Sequence, residues 1–196
     1  LYWQQLYNHE QFILDDNIIL DPILRSTSFL DIYKTTFVDV QPIRDLSYWI
    51  DKSLQPFFTL SIFKLSNLIY WHTACFLTTF FIPLYFSLYK EKFDSIYAIL
   101  ASSCLLIHPA MTIPVAWISA RKHLLAFLFI ISASIFLLKY IKKSKLTYLI
   151  LSVLMFILSV GSHTIYCLWP FWASWTLYQH LSKTKKSWAL VFSLII

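Results

Sequence analysis

Glycine is almost missing from this chain: Gly161 is the only one among 196 residues. Gly/Ser linkers are thereby excluded, and neither tandem repeats nor low-complexity tracts occur. Cysteine is scarce as well. Cys75, Cys104 and Cys167 are odd in number, lie within apolar runs and have no metal-ligand spacing. They read as small core or lipid-facing residues and carry no information on redox compartment. Acidic residues nearly vanish after residue 60. Eight of the ten (Glu10, Asp15, Asp16, Asp21, Asp31, Asp39, Asp45 and Asp51) precede it, and only Glu91 and Asp94 follow. The net charge of +6 therefore resides in the later loops. No basic face is continuous or interleaved with exposed aromatics, which speaks against nucleic acid as a partner.

What the chain has instead is apolar length. It is 58% hydrophobic and only 13% charged, with a mean hydropathy of +0.62, which excludes an ordinary soluble domain. About 20 apolar residues cross a bilayer core as a helix. Residues 65–89, between Lys64 and Lys90, carry no formal charge, nor do the 37 residues from Leu146 to Ser182, which are long enough for two spans. Gly161, in the run "VGSHT" at 160–164, marks the turn between those two. The expectation is an all-α, polytopic transmembrane bundle over 61–196. Its spans lie near 65–89, 95–112, 123–139, 146–160 and 165–181, with an unfinished one at 188–196. No signal peptide is visible and Leu1 is not a natural start, so the sequence reads as a piece of a longer protein with a further span before it.

Residues 1–60 form a separate acidic segment. In "DLSYWIDKSL" (45–54), Leu46, Trp49, Ile50 and Leu54 recur at helical spacing. This predicts an amphipathic helix lying on the membrane surface, with those residues toward the membrane or the spans and Asp51 and Lys52 toward water. Lysines set the orientation. Lys90 and Lys92, then Lys139, Lys142, Lys143 and Lys145, then Lys183, Lys185 and Lys186 fall in loops on one side, taken as the cytoplasm. Segment 1–60, the 108–122 loop and the 161–164 turn then share the opposite face.

The run "IHPAMTIPVAWISARKHLLAFLFIISASIFLLKY" (107–140) resembles a segment of the membrane-embedded GT-C glycosyltransferases of the transmembrane-and-TPR protein O-mannosyltransferase type. The matching residues are His108-Pro109, Val115-Ala116-Trp117-Ile118-Ser119 and Arg121-Lys122. "FILDDNIILDP" (12–22) is similar to that family's Asp-Asp motif in the first extracytoplasmic loop. Residues 42–76 are similar to its surface helix and Asn-bearing second span. Ala120 stands where the family favours Gly, and His123 where it favours Asp. The resemblance covers essentially the whole chain and implies a sugar transferase that uses a polyprenyl-phosphate donor and a protein, lipid or glycan hydroxyl acceptor. It places the enzyme in a bacterial-type plasma membrane or the endoplasmic reticulum membrane.

That chemistry needs a base for the acceptor hydroxyl and positive charge for the departing phosphate. Asp15 or Asp16 is the candidate base. Arg121 and Lys122 are candidates to neutralise the phosphate, with His108, His123 and His163 as further hydrogen-bond donors or proton relays. The Asp15–Asp16 pair offers part of a divalent-cation site but no third ligand, so no metal is assigned. Each residue also has a plainer reading. The acids suit a turn or helix cap, Arg121-Lys122 a snorkelling pair, His108 and His163 the satisfaction of turn carbonyls, and Trp117 an interface anchor. Two other classes remain: a transporter or flippase, which would bury ionisable groups at mid-span where this chain has only His72, and a non-catalytic scaffold or fragment.

The topology is directly testable. Single cysteines in the Lys142–Lys145 and Lys183–Lys186 loops should be labelled only from the cytoplasmic side, and one near Ser162 only from outside. Opposite labelling of the two lysine loops would remove the shared-face expectation.

Overall fold

The computed structural model describes residues 16–32, 41–89 and 93–184, and among them there are helices and turns but no strand. The helices are α1 (Asp16–Arg25), α2 (Pro42–Leu54), α3 (Ile62–Phe86), α4 (Ser95–Ile107), α5 (Thr112–Ala116), α6 (Arg121–Lys143), α7 (Leu146–Ser162) and α8 (Trp169–Thr184). Two stretches are long and apolar enough to cross a membrane: Ile62–Tyr89 and Ile118–Lys143. A third is available if α4 and the segment Pro109–Ala116, which meet at 51°, form one broken span. α7, at 17 residues, is about 25 Å long and thus shorter than a bilayer core of roughly 30 Å. The proposed span at 165–181 starts later than expected, at Trp169. The one at 188–196 lies outside the described residues, as do Lys90 and Lys92.

α6 departs from the charge-based boundary for a physical reason. A charge usually ends a span because hydrocarbon rejects it. Arg121 nonetheless sits inside the packed structure with an anionic partner, so the helix begins there and runs 23 residues to Lys143, longer at both ends than the expected 123–139.

α6 and α7 form an antiparallel hairpin that packs along most of its length. Its turn is very tight. Ser144 takes a left-handed conformation (φ 53°), and its N–H closes onto the Tyr140 carbonyl at 2.7 Å. The interface is made of small residues. Ser152 Oγ donates to the Ala133 carbonyl at 2.7 Å and Ser159 Oγ to the Ala126 carbonyl at 2.9 Å, and all four residues are buried. The outward side of α7 carries Leu146, Ile150, Val153, Leu154 and Ile157. A helix with serines inside and aliphatics outside reverses the soluble pattern, and small residues with interhelical hydrogen bonds are the packing mode used in lipid. α8 returns along α6: Trp169 Nε1 donates to Ser134 Oγ (2.9 Å), and Ala173 and Leu177 pack on Leu137, Leu138 and Ile141.

α2 corrects the expected helical register. Leu46, Ile50 and Leu54 are indeed on an exposed face, but Asp51 is only 2% exposed and Lys52 is not turned to water. Lys52 Nζ donates to the carbonyls of Ser26 (2.5 Å) and Ile23 (3.1 Å), closing the end of α1. The inward face of α2 is polar: Arg44, Asp45, Ser47, Tyr48 and Asp51. α2 also touches the end of α7, where a Cβ on Gly161 would fall 2.9 Å from Ile43 Cγ1. The lone glycine is thus the point of close approach between α2 and the hairpin. These contacts bring α1, α2, the 108–120 segment and the 161–166 turns to one end of the helices, and Lys139–Lys145 to the other.

The reversed polarity of α7 sets a test. Ser159→Leu should overfill the hairpin and cost about 1–3 kcal/mol, whereas Ile157→Ala, on the outward face, should change stability little. Thermal unfolding in detergent distinguishes them, and equal effects would contradict this packing.

Candidate functional site

The end of the bundle that gathers the polar segments is built around Arg121, the first residue of α6, which has no exposed surface. Each of its three nitrogens is engaged. Nε donates to Asn67 Oδ1 at 2.7 Å, Nη2 to the Phe63 carbonyl at 2.6 Å, and Nη1 to Ser47 Oγ at 3.3 Å. Asp51 Oδ2 lies 2.6 Å from Nη1, an ionic approach off the hydrogen-bonding axis, since that oxygen has no aligned donor. Asp51 Oδ1 accepts from Ser66 Oγ at 2.8 Å. The guanidinium also lies over the Tyr48 ring, 4.3 Å from its centroid. Burial raises the Asp51 carboxyl above the ordinary carboxylate value, against the pull of the Arg121 charge and the Ser66 hydroxyl.

The same partners reach onward to the irregular segment before α6. Tyr48 Oη donates to the Ile118 carbonyl at 2.5 Å, and Asn67 Nδ2 to the carbonyls of Val115 (3.3 Å) and Trp117 (3.2 Å). Trp71 Nε1 donates to the Leu106 carbonyl at 3.3 Å. α2 and α3 therefore supply the hydrogen bonds that the broken backbone at 106–118 cannot make within a helix. A second buried pair, Arg44 with Asp45 (2.7 Å), lies about two turns before Asp51 on α2. The apolar underside joins α1 to the site: Leu20, Ile23, Tyr48, Phe63 and Ile118 form one cluster.

The sequence-predicted residues divide into three groups. Asp15 and the side chain of Asp16 lie outside the described residues, although α1 begins at Asp16 and packs through Leu20 and Ile23 onto Ile118. Arg121 is enclosed by protein, each of its nitrogens engaged by Asn67, Ser47 or the Phe63 carbonyl, with Asp51 as its anionic partner. The others are at or near the surface: Lys122 is half-buried and His108 and His123 are exposed. His123 and His163 face one another, with ring centroids 4.5 Å apart and planes inclined by 36°. His163 Nδ1 accepts the Ile165 N–H at 3.0 Å, and His108 Nδ1 accepts the Ala110 N–H at 3.2 Å. An accepting ring nitrogen carries no proton, so a neutral ring at either position carries its proton on Nε2. Trp117 is half-buried.

Sequence reasoning missed Ser47, Tyr48, Asp51 and Ser66 as members of this network. The available signal was spacing: Ser47, Tyr48 and Asp51 are i, i+1 and i+4, one polar face of the helix whose other face was recognised as apolar. A hollow of about 440 Å³ lies along α1 and the turn after it, lined by Asp21, Pro22, Arg25, Ser26, Thr27 and Asp31. Among the described residues no three His, Cys, Asp or Glu side chains come together to hold a metal ion. Comparison with family models, curated proteins and solved structures finds no match to this chain.

Breaking one side of the buried pair leaves an uncompensated charge, which costs roughly 3–5 kcal/mol. Asp51→Leu should therefore destabilise strongly, and the double variant Asp51→Leu/Arg121→Leu should recover much of the loss. A double-mutant cycle in detergent measures the coupling, and additive losses would show that the two residues do not act as a pair.

Proposed function

We propose that the chain is part of a multi-pass membrane glycosyltransferase that moves a sugar from a polyprenyl-phosphate donor to a hydroxyl acceptor on the extracytoplasmic face. The observation that carries this reading is convergence. The helix that begins at Asp16, the His108 turn, Lys122 and the His123–His163 pair are gathered at one end of the helices, in the chain that also carries the Ala-Trp-Ile-Ser-x-Arg-Lys run. The reversed polarity of α7 supports the membrane setting, with α3, the bent α4–α5 pair, α6, α7 and α8 as spans. A bacterial-type plasma membrane or the endoplasmic reticulum membrane suits it.

The roles follow from charge and reach. Asp16 or Asp15 accepts the acceptor proton as its oxygen attacks the sugar carbon, and the bond from that carbon to the phosphate oxygen breaks. The phosphate leaves with its charge beside Lys122, and the imidazoles of His108, His123 and His163 are the further hydrogen-bond donors to it. Lys122 takes the first place that the sequence had given jointly to Arg121, whose part is to hold the end of the bundle together. The polyprenyl tail stays in the bilayer, which is why such a site belongs at the edge of the spans. The enclosure of Arg121 also suits a purely structural scaffold, which would lack transfer activity altogether.

Activity decides between them. With a radiolabelled polyprenyl-phosphate sugar, Asp15→Asn/Asp16→Asn in the full protein should lower transfer by about 10²–10⁴-fold while leaving membrane insertion intact. Lys122→Ala should weaken donor use more than it harms stability. Full transfer in the double Asn variant would sink the mechanism.

A further inference from the structure

Asp94 apart, the described carboxylates of this molecule gather at one end, interleaved there with Arg25, Arg44, Lys52, Lys64, Arg121 and Lys122, whereas the other end is lysine-rich. Among the described acids, Asp16, Asp21, Asp31, Asp45 and Asp51 belong to α1, α2 and their connection, at the Arg121 end. At the other end stand Lys139, Lys142, Lys143 and Lys145, around the turn that joins α6 to α7. α3, α4 and α8 meet them there: Leu88 packs against the Leu137–Ile141 cluster, Phe86 stacks on Phe93 at 4.6 Å, and Tyr89 Oη donates to Gln179 at 2.5 Å. The described carboxylate at this end is Asp94, whose Oδ1 caps α4 by accepting the Ile96 N–H at 3.0 Å.

The turn displays its charges. Left-handed Ser144 reverses the chain within two residues, so Lys142, Lys143 and Lys145 all project from one tip and are exposed. The C-terminal dipole of α6 offsets part of a single positive charge. Lys143 Nζ lies 5.9 Å from the Tyr148 ring centroid and Lys139 Nζ 5.7 Å from that of Phe136, so the stems lie along aromatic surface at the end of the apolar helices. Aromatic rings and lysines at this level match the boundary between acyl chains and headgroups.

We infer that the Lys139–Lys145 tip is a docking surface for anionic phospholipid headgroups, which it selects over zwitterionic ones. This rests on the membrane setting and not on the transfer chemistry, and the binding is by charge alone. Several lysines near an anionic leaflet add attraction that fades beyond a Debye length, about 10 Å at 0.1 M salt and 3 Å at 1 M.

The test uses the full chain purified in neutral detergent and titrated with short-chain phosphatidylserine or phosphatidylcholine, with retained lipids counted by native mass spectrometry. The wild type should retain phosphatidylserine roughly tenfold more tightly than phosphatidylcholine at 0.1 M salt, and the ratio should fall toward one at 1 M. Lys142→Gln/Lys143→Gln/Lys145→Gln should abolish the preference while still retaining phosphatidylcholine, which keeps failure of the headgroup site apart from failure of the membrane setting. Arg25→Gln, at the opposite end, should leave the preference intact. Equal retention of the two lipids by the wild type, an undiminished preference in the triple variant, or an equal loss in Arg25→Gln would each overturn the assignment.

Discussion

A guanidinium without access to water organises one end of this molecule. Burying a guanidinium is tolerable only if the surrounding chain supplies a negative charge and enough acceptors. Asp51 supplies the charge, and Asn67, Ser47 and the Phe63 carbonyl the acceptors. These come from two other helices, so satisfying one side chain fixes α2 and α3 against the start of α6. Asn67 and Tyr48 then use their remaining donors on carbonyls of the broken segment at 115–118. Removing the charge would release the irregular backbone as well as the helices. The geometry of this end is thus set by one buried cation and the partners it gathers.

Polarity is inverted on the two most informative helices. α2 turns Ser47, Tyr48 and Asp51 inward and Leu46, Ile50 and Leu54 outward, and α7 buries Ser152, Ser159 and Ser162 while exposing Ile150 and Ile157. In water both arrangements would be unfavourable. In contact with acyl chains, the aliphatic face is already in its preferred solvent and the polar groups find partners only inside. One solvent explains both.

Much of this was legible from charge and spacing. Runs free of formal charge located α3 and α6, Gly161 lay at the end of α7, and Lys139–Lys145 lie at the end away from α1 and α2, while Lys90, Lys92, Lys185 and Lys186 lie outside the described residues. Two things were not. The start of α6 was placed after Arg121 because an isolated charge terminates a span, and sequence alone does not reveal that Asp51, far away in the chain, neutralises it. The orientation of α2 was half right for the same reason: periodicity finds the two faces, but a rule that sends charges to water assigns the wrong one inward. Arg121 drew notice through its charge, yet its enclosure depends on tertiary contacts that no local pattern encodes. The Asp15–Asp16 run stands apart, since Asp15 and the Asp16 side chain are not among the described residues.

The hairpin turn at Ser144 bears on how the chain assembles as it is made. Contacts within the hairpin close over short stretches: Ser152 lies 19 residues from Ala133 and Ser159 33 from Ala126. Those of Arg121 reach back 54 residues to Asn67 and 74 to Ser47. Synthesis runs from the amino end, so α2 and α3 exist before their organising cation does, and Asp51 must stay hydrated until α6 emerges. Closing a short loop costs less entropy than closing a long one. Once complete, α6 and α7 can therefore zip together as a unit, and the earlier segments then dock onto it. On that ordering this end assembles backward along the chain, with the later-made α6 and α7 as the template for α2 and α3.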